Sequence, residues 1–66
     1  MWKKITEENP PEKKVLKTKI DDENGVRNEQ ELINDGNLWW TPDHKMYVYY
    51  TPTHWWDYVT DRLNKQ

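Results

Sequence analysis

Between Val15 and Ile20 the chain alternates Leu16, Thr18 and Ile20 with Lys17 and Lys19, the two-residue period of a strand with one face buried. Asp21-Asp22-Glu23-Asn24-Gly25 then reads as a turn. Upstream, Thr6 to Lys14 is polar and contains Pro10-Pro11, which predicts an extended loop rather than a helix. From Val26 to Ile33 two readings compete. Asn28 followed by Glu31, with Gly36 closing, suits a cap and a stop around one or two helical turns. The favoured alternative is a strand that turns at Asn34-Asp35-Gly36 into Asn37-Leu38-Trp39-Trp40-Thr41, because Asp-Gly between apolar runs is a strong hairpin signal.

A second hairpin follows. Trp39-Trp40-Thr41 and Met46-Tyr47-Val48-Tyr49-Tyr50 are aromatic and β-branched runs joined by Pro42-Asp43-His44-Lys45. Pro42 and Asp43 suit the centre of a type I turn, with the next residue left-handed to form a bulge. That register sets Thr41 opposite Lys45, Trp40 opposite Met46, Trp39 opposite Tyr47 and Leu38 opposite Val48. Leu38, Trp40, Met46, Val48 and Tyr50 then share an aliphatic face that looks like core, and Trp39, Tyr47 and Tyr49 share an aromatic one.

Pro52 cannot donate to a ladder and ends the returning strand. From Thr53 to Gln66, Trp55, Val59 and Leu63 recur at helical spacing with Thr53 as a cap, which predicts a short C-terminal helix. The fold class expected is mainly β to α+β: one small domain over residues 1–66, an antiparallel meander of three to four strands, plus that helix.

Composition sharpens this picture. A chain of 66 residues without cysteine has no disulfide to help it, so its core must offset nearly all of the chain entropy. Eleven Val, Leu and Ile are few, and with no Phe or Ala most of the five Trp and four Tyr are needed inside. Trp2, Trp40 and Trp55 are therefore expected to be structural, as is Pro42. The net charge of −2 argues against a nucleic-acid binder. Six Lys against three Glu in residues 1–20, and four basic against nine acidic residues thereafter, make two patches of opposite sign. The absence of cysteine fits a reducing cytoplasm, and no apolar run approaches a membrane span.

The repeated templates WWTPDH (39–44) and YYTPTH (49–54) carry both histidines of the chain. A metal shared by His44 and His54 is not expected: one lies at the turn tip and the other beyond the far end of a strand about 16 Å long. With no Ser and no Cys, the usual nucleophilic triads cannot be built, and no glycine-rich phosphate loop is present. Asp21-Asp22 lies in a polar turn, where carboxylates stay solvated. The chain is accordingly read as no enzyme, with no catalytic residue, metal or cofactor, and His54 as a half-buried residue whose ring nitrogens hold backbone groups.

Trp2 before a Pro-Pro loop, Val15-Leu16, Asn28-Glu29-Gln30, Gly36-Asn37-Leu38-Trp39, Pro42-Asp43, Met46 to Tyr50 and Thr51-Pro52-Thr53-His54-Trp55 together carry a likeness to a known family. Over residues 2–55 the chain resembles the domain-of-unknown-function family 551, small proteins of bacterial genomes and their phages. The resemblance implies a compact, mostly β domain with a phage or prophage accessory role, and it supplies no activity, since none is assigned to that family. His44 departs from the Gly that relatives tend to have after Pro-Asp, and the tail after Trp55 departs from their Pro-rich ending.

What remains is binding. If the C-terminal helix covers the aliphatic face, Trp39, Tyr47 and Tyr49 form an open patch for a protein partner, from the host or the phage. If it covers the aromatic face, all three are core. The alternative of another class is stacking on single-stranded nucleic acid or carbohydrate, using aromatic rings with the Lys13, Lys14, Lys17 and Lys19 patch.

Overall fold

The computed structural model describes residues 1–58, and they form one antiparallel sheet of five strands. These are β1 (Trp2–Lys4), β2 (Val15–Asp22), β3 (Gly25–Asp35), β4 (Leu38–Trp40) and β5 (His54–Trp56), in the spatial order β1-β5-β2-β3-β4. The alternating run at Val15–Ile20 lies within β2, and the turn after it delivers Gly25 at φ 105° into β3. For residues 26–33 the strand wins over the helix. Val15 and Leu16 pair with Ile33 and Leu32, a cross-strand gain that one or two isolated helical turns lack.

Asn28, the residue that suits a helix cap, has a different job. Thr18 faces Gln30 while Ile20 faces Arg27, so β3 holds one residue more than β2 between those pairs. Asn28 takes that surplus as a bulge at φ 57°, a left-handed conformation that Asn tolerates better than most residues. The second turn is tight: Asp35 pairs with Leu38 across Gly36-Asn37, with Gly36 at φ 67°.

The expectation for the start of the C-terminal segment is overturned. His54–Trp56 is a strand, inserted between β1 and β2, with Trp55 opposite both Thr18 and Lys3. Three residues are too few to show an alternation, whereas the spacing of Trp55, Val59 and Leu63 mimics a helix. The stretch 59–66 of the predicted helix lies outside the described residues. Strand β1 was not anticipated either, and because β5 returns to lie beside it the sheet is more than a meander.

One face of the sheet carries the core. Leu16, Leu32, Trp39 and Trp55 are packed together, with Ile5, Val48 and Tyr50 against them. Loops provide the covering layer. The Trp55 indole N–H donates to the Glu8 carbonyl at 3.0 Å, and the Lys13 N–H donates to the Asn34 carbonyl at 2.8 Å, which pins the Pro-Pro loop at both ends. Burying an indole of about 150–250 Å² contributes roughly 4–6 kcal/mol as an upper value, so Trp39 and Trp55 dominate this small core. Thr18, opposite Trp55 and Gln30 in the ladder, is fully buried, and its hydroxyl donates to the Gln30 carbonyl at 2.8 Å.

Candidate functional site

The loop after β4 decides which aromatics face outward. A type I turn forms as expected, with the His44 N–H donating to the Thr41 carbonyl at 2.7 Å and His44 left-handed at φ 62°. Pairing does not resume at Lys45. The Lys45 N–H donates to the Asp43 carboxylate at 3.0 Å, and the Thr41 hydroxyl donates to the same oxygen. The ladder restarts one residue later, with the Thr41 N–H bonded to the Met46 carbonyl and the Val48 N–H to the Trp39 carbonyl, both at 2.8 Å. Trp40 therefore lies opposite Tyr47, not Met46.

A slip of one residue turns the β4 side chains to the face opposite the one expected, while Tyr47, Val48, Tyr49 and Tyr50 keep theirs. Trp39, expected in the open patch, is 5 % exposed and belongs to the core with Val48. Trp40 is half-buried and meets Tyr47 edge-on with ring centres 5.5 Å apart, while Leu38 and Met46, expected in the core, are exposed. Of the predicted patch, Tyr47 (59 % exposed) and Tyr49 (95 %) remain on the surface, and Met46 (68 %) joins them. Tyr50 turns inward, its hydroxyl accepting from the Gln30 side-chain amide, and its ring lies 5.6 Å from that of Tyr49. Pro42 sits in the turn as expected, and Pro52 is buried at the corner leading into β5.

The four lysines do not form one patch. Lys13 and Lys14 end the Pro-Pro loop, Lys13 at φ 61°. Lys17 and Lys19 extend from β2 over a pair of indoles that lie 54 positions apart in the chain. Trp2 and Trp56 are cross-strand partners in edge contact at 5.3 Å, with Lys19 Nζ 4.3 Å from the Trp2 ring centre and Lys17 Nζ 5.3 Å from that of Trp56. Cation–π attraction and apolar lysine stems cover these rings where no second layer does. The lone signal in the sequence was the matching period of Trp2-Lys3-Lys4 and Lys17-Thr18-Lys19, too short to read alone.

The histidines are held apart and differently. His44 Nε2 lies 3.2 Å from Asp35 with its ring against Trp40, at the β4 end of the sheet. His54, in β5, has Nδ1 2.7 Å from the Thr53 hydroxyl rather than from a backbone group. Among the described residues no group of three His, Cys, Asp or Glu side chains has metal-site geometry.

Asp22 and Asp43 hold turns. The Arg27 guanidinium, then the Asn24 N–H, hold the Asp22 carboxyl below its ordinary pKa, the opposite of what an acid catalyst needs. The Thr41 hydroxyl, then the Lys45 N–H, do the same for Asp43, and the hydrogen bond to Glu8 raises Lys3.

No family model, curated protein or solved structure matches the chain. No helix among the described residues is long and apolar enough to cross a membrane.

Proposed function

We propose that this domain is a phage or prophage accessory protein that works by binding a protein partner of the host, in the host cytoplasm and without catalysis. The contact surface is the exposed stretch after the Thr41–His44 turn, through Met46, Tyr47 and Tyr49. One observation carries this reading: Tyr49 is 95 % exposed in a chain short of apolar side chains, where every other aromatic ring described is at least in part covered. A flat amphipathic ring presented in this way is a typical interface anchor, with few rotatable bonds to immobilise on binding. The resemblance to family 551 supports the phage assignment alone and contributes nothing to the choice of surface.

Stacking of single-stranded nucleic acid or carbohydrate on this loop is the weaker reading, because Lys13, Lys14, Lys17 and Lys19 all lie elsewhere. The test is capture from host lysate by the folded domain, followed by titration of the captured protein against wild type, Tyr49→Ala and Lys14→Gln. Tyr49→Ala should weaken binding by about tenfold or more, as truncated anchors do. Equal affinity for wild type and Tyr49→Ala would sink the loop as the contact surface. A steep loss of affinity with rising salt would point instead to the nucleic-acid reading.

A further inference from the structure

A second candidate surface, independent of the tyrosine loop, lies at the other end of the sheet. Antiparallel pairing sets Lys4 opposite His54 between β1 and β5, and His54 opposite Lys19 between β5 and β2. Residues directly opposite share a face, so these three nitrogen-bearing side chains form a row across three strands spaced about 4.8 Å apart. None of the three is needed for the core. Two residues along β1, Trp2 stands beside the row.

The donors are poised. The Thr53 hydroxyl oxygen already accepts the Asp21 N–H at 2.8 Å, and the nearer acceptor for its own proton is His54 Nδ1 at 2.7 Å, against 3.4 Å for the Lys19 carbonyl. His54 Nδ1 is thereby engaged by Thr53, which leaves Nε2 for a ligand. Lys19 is held by Asp21 at 3.5 Å, whereas Lys4 has no ion-pair partner among the described residues. These groups line an open recess of about 410 Å³, together with Trp2, Glu7 and Asp21. That is within the range of small-molecule sites.

The mixed lining selects the ligand. Lys4, His54 and Lys19 offer donors to an anionic group, Glu7 and Asp21 offer acceptors to hydroxyls, and Trp2 offers an apolar wall. Lys3 and Glu8, ion-paired at 2.8 Å, complete the lining. A bare polyanion would meet three carboxylates, Glu7, Glu8 and Asp21, and a neutral sugar would leave Lys4 unmatched. We propose that this recess binds a nucleoside monophosphate, phosphate on the Lys4–His54–Lys19 row and ribose hydroxyls toward Glu7 and Asp21. The same chemistry is available from a free nucleotide or from the phosphorylated end of a single strand.

The experiment titrates the intact protein with adenosine monophosphate, adenosine, inorganic phosphate and a short 5′-phosphorylated oligonucleotide. Tryptophan fluorescence and the backbone amide shifts of residues 4, 19 and 54 give the readout. The nucleotide should saturate and bind more tightly than adenosine or phosphate alone. Lys4→Gln, whose side chain is exposed, should keep the wild-type thermal unfolding and lose about tenfold in affinity, the worth of one charge-assisted hydrogen bond. Lys14→Gln should bind as wild type. The proposal is overturned if the nucleotide does not saturate, if Lys4→Gln binds as well as wild type, or if Lys14→Gln loses as much as Lys4→Gln. Tighter binding of the oligonucleotide would support the site with a strand end as its source, and equal binding would support it with the free nucleotide.

Discussion

Two turns of this molecule, Asp35–Leu38 and Thr41–Met46, connect neighbouring strands, yet only one of them has a register that its backbone signals announce. At Asp35–Leu38 the two central residues, with Gly36 left-handed, leave the ladder one way to close. At Thr41–Met46 the same kind of reasoning finds the right turn and the right left-handed residue, His44, but not the right pairing. Side-chain hydrogen bonds make the difference. Asp43 takes the Lys45 N–H that would otherwise donate to the Thr41 carbonyl, and the pairing moves on to Met46. A two-residue turn with a left-handed glycine specifies its register through the backbone, whereas a longer one whose Thr and Asp side chains take up backbone N–H groups can specify a different one.

The largest expected effect tests the face reversal itself. Trp39→Ala removes a buried indole and should cost about 3–5 kcal/mol, close to the whole stability of a domain this small, whereas half-buried Trp40→Ala should cost clearly less. Urea unfolding of the two variants side by side measures the contrast. If Trp40→Ala were the more damaging, the register with Trp40 facing Met46 would be restored.

How much of this was legible in the sequence can be argued strand by strand. β2 and the turn after it could be read because six alternating residues and a glycine leave few alternatives. β3 was a close contest, decided by pairing with β2 that local propensity does not contain. β1 and β5 were missed since each is three residues long and gains its order from a partner some fifty positions away, as in Trp2 opposite Trp56. The tyrosine surface was half legible. Tyr47 and Tyr49 follow from the alternation of residues 46–50, although the strand expected there does not form and Tyr47 pairs with Trp40 only as an isolated bridge, but Trp39 depended on a register set by Asp43. The Lys4–His54–Lys19 row depended on strands that no periodicity revealed.

A smaller effect follows from protonating Asp43. Its carboxyl titrates below the ordinary value of 3.8 because of the Thr41 hydroxyl, then the Lys45 N–H. A folded-state pKa below the unfolded one means that the loop's stabilisation is full above the unfolded pKa and lost as pH falls through the folded one. Between neutral pH and pH about 5 the Trp40–Tyr47 ring contact should therefore persist, and below the ordinary Asp range it should loosen. Cross-strand nuclear Overhauser effects between the two rings report this. Asp43→Ala should show the loosened state at neutral pH, and an unchanged Trp40–Tyr47 contact in that variant would refute the role given to Asp43. Asp22 at the β2–β3 turn obeys the same sign through Arg27, but its ladder continues on both sides, so that turn should hold its register when Asp22 is protonated.

The smallest effect concerns His44, where the two turns differ in backbone chemistry. Gly36 adopts its left-handed φ of 67° at no steric cost, whereas His44 at φ 62° carries the strain of a side chain there, about 1 kcal/mol. His44→Gly would relieve that strain. It would also lose the 3.2 Å contact with Asp35 and the ring contact with Trp40, and would add glycine's extra entropy in the unfolded chain. These terms oppose one another, so the net change in unfolding free energy should stay within about 1 kcal/mol in either direction. His44→Ala separates them, since it loses both contacts and keeps the left-handed strain. It should be less stable than His44→Gly, and urea unfolding that ranked His44→Ala as the more stable would mean that backbone strain at this position is not what the glycine relieves.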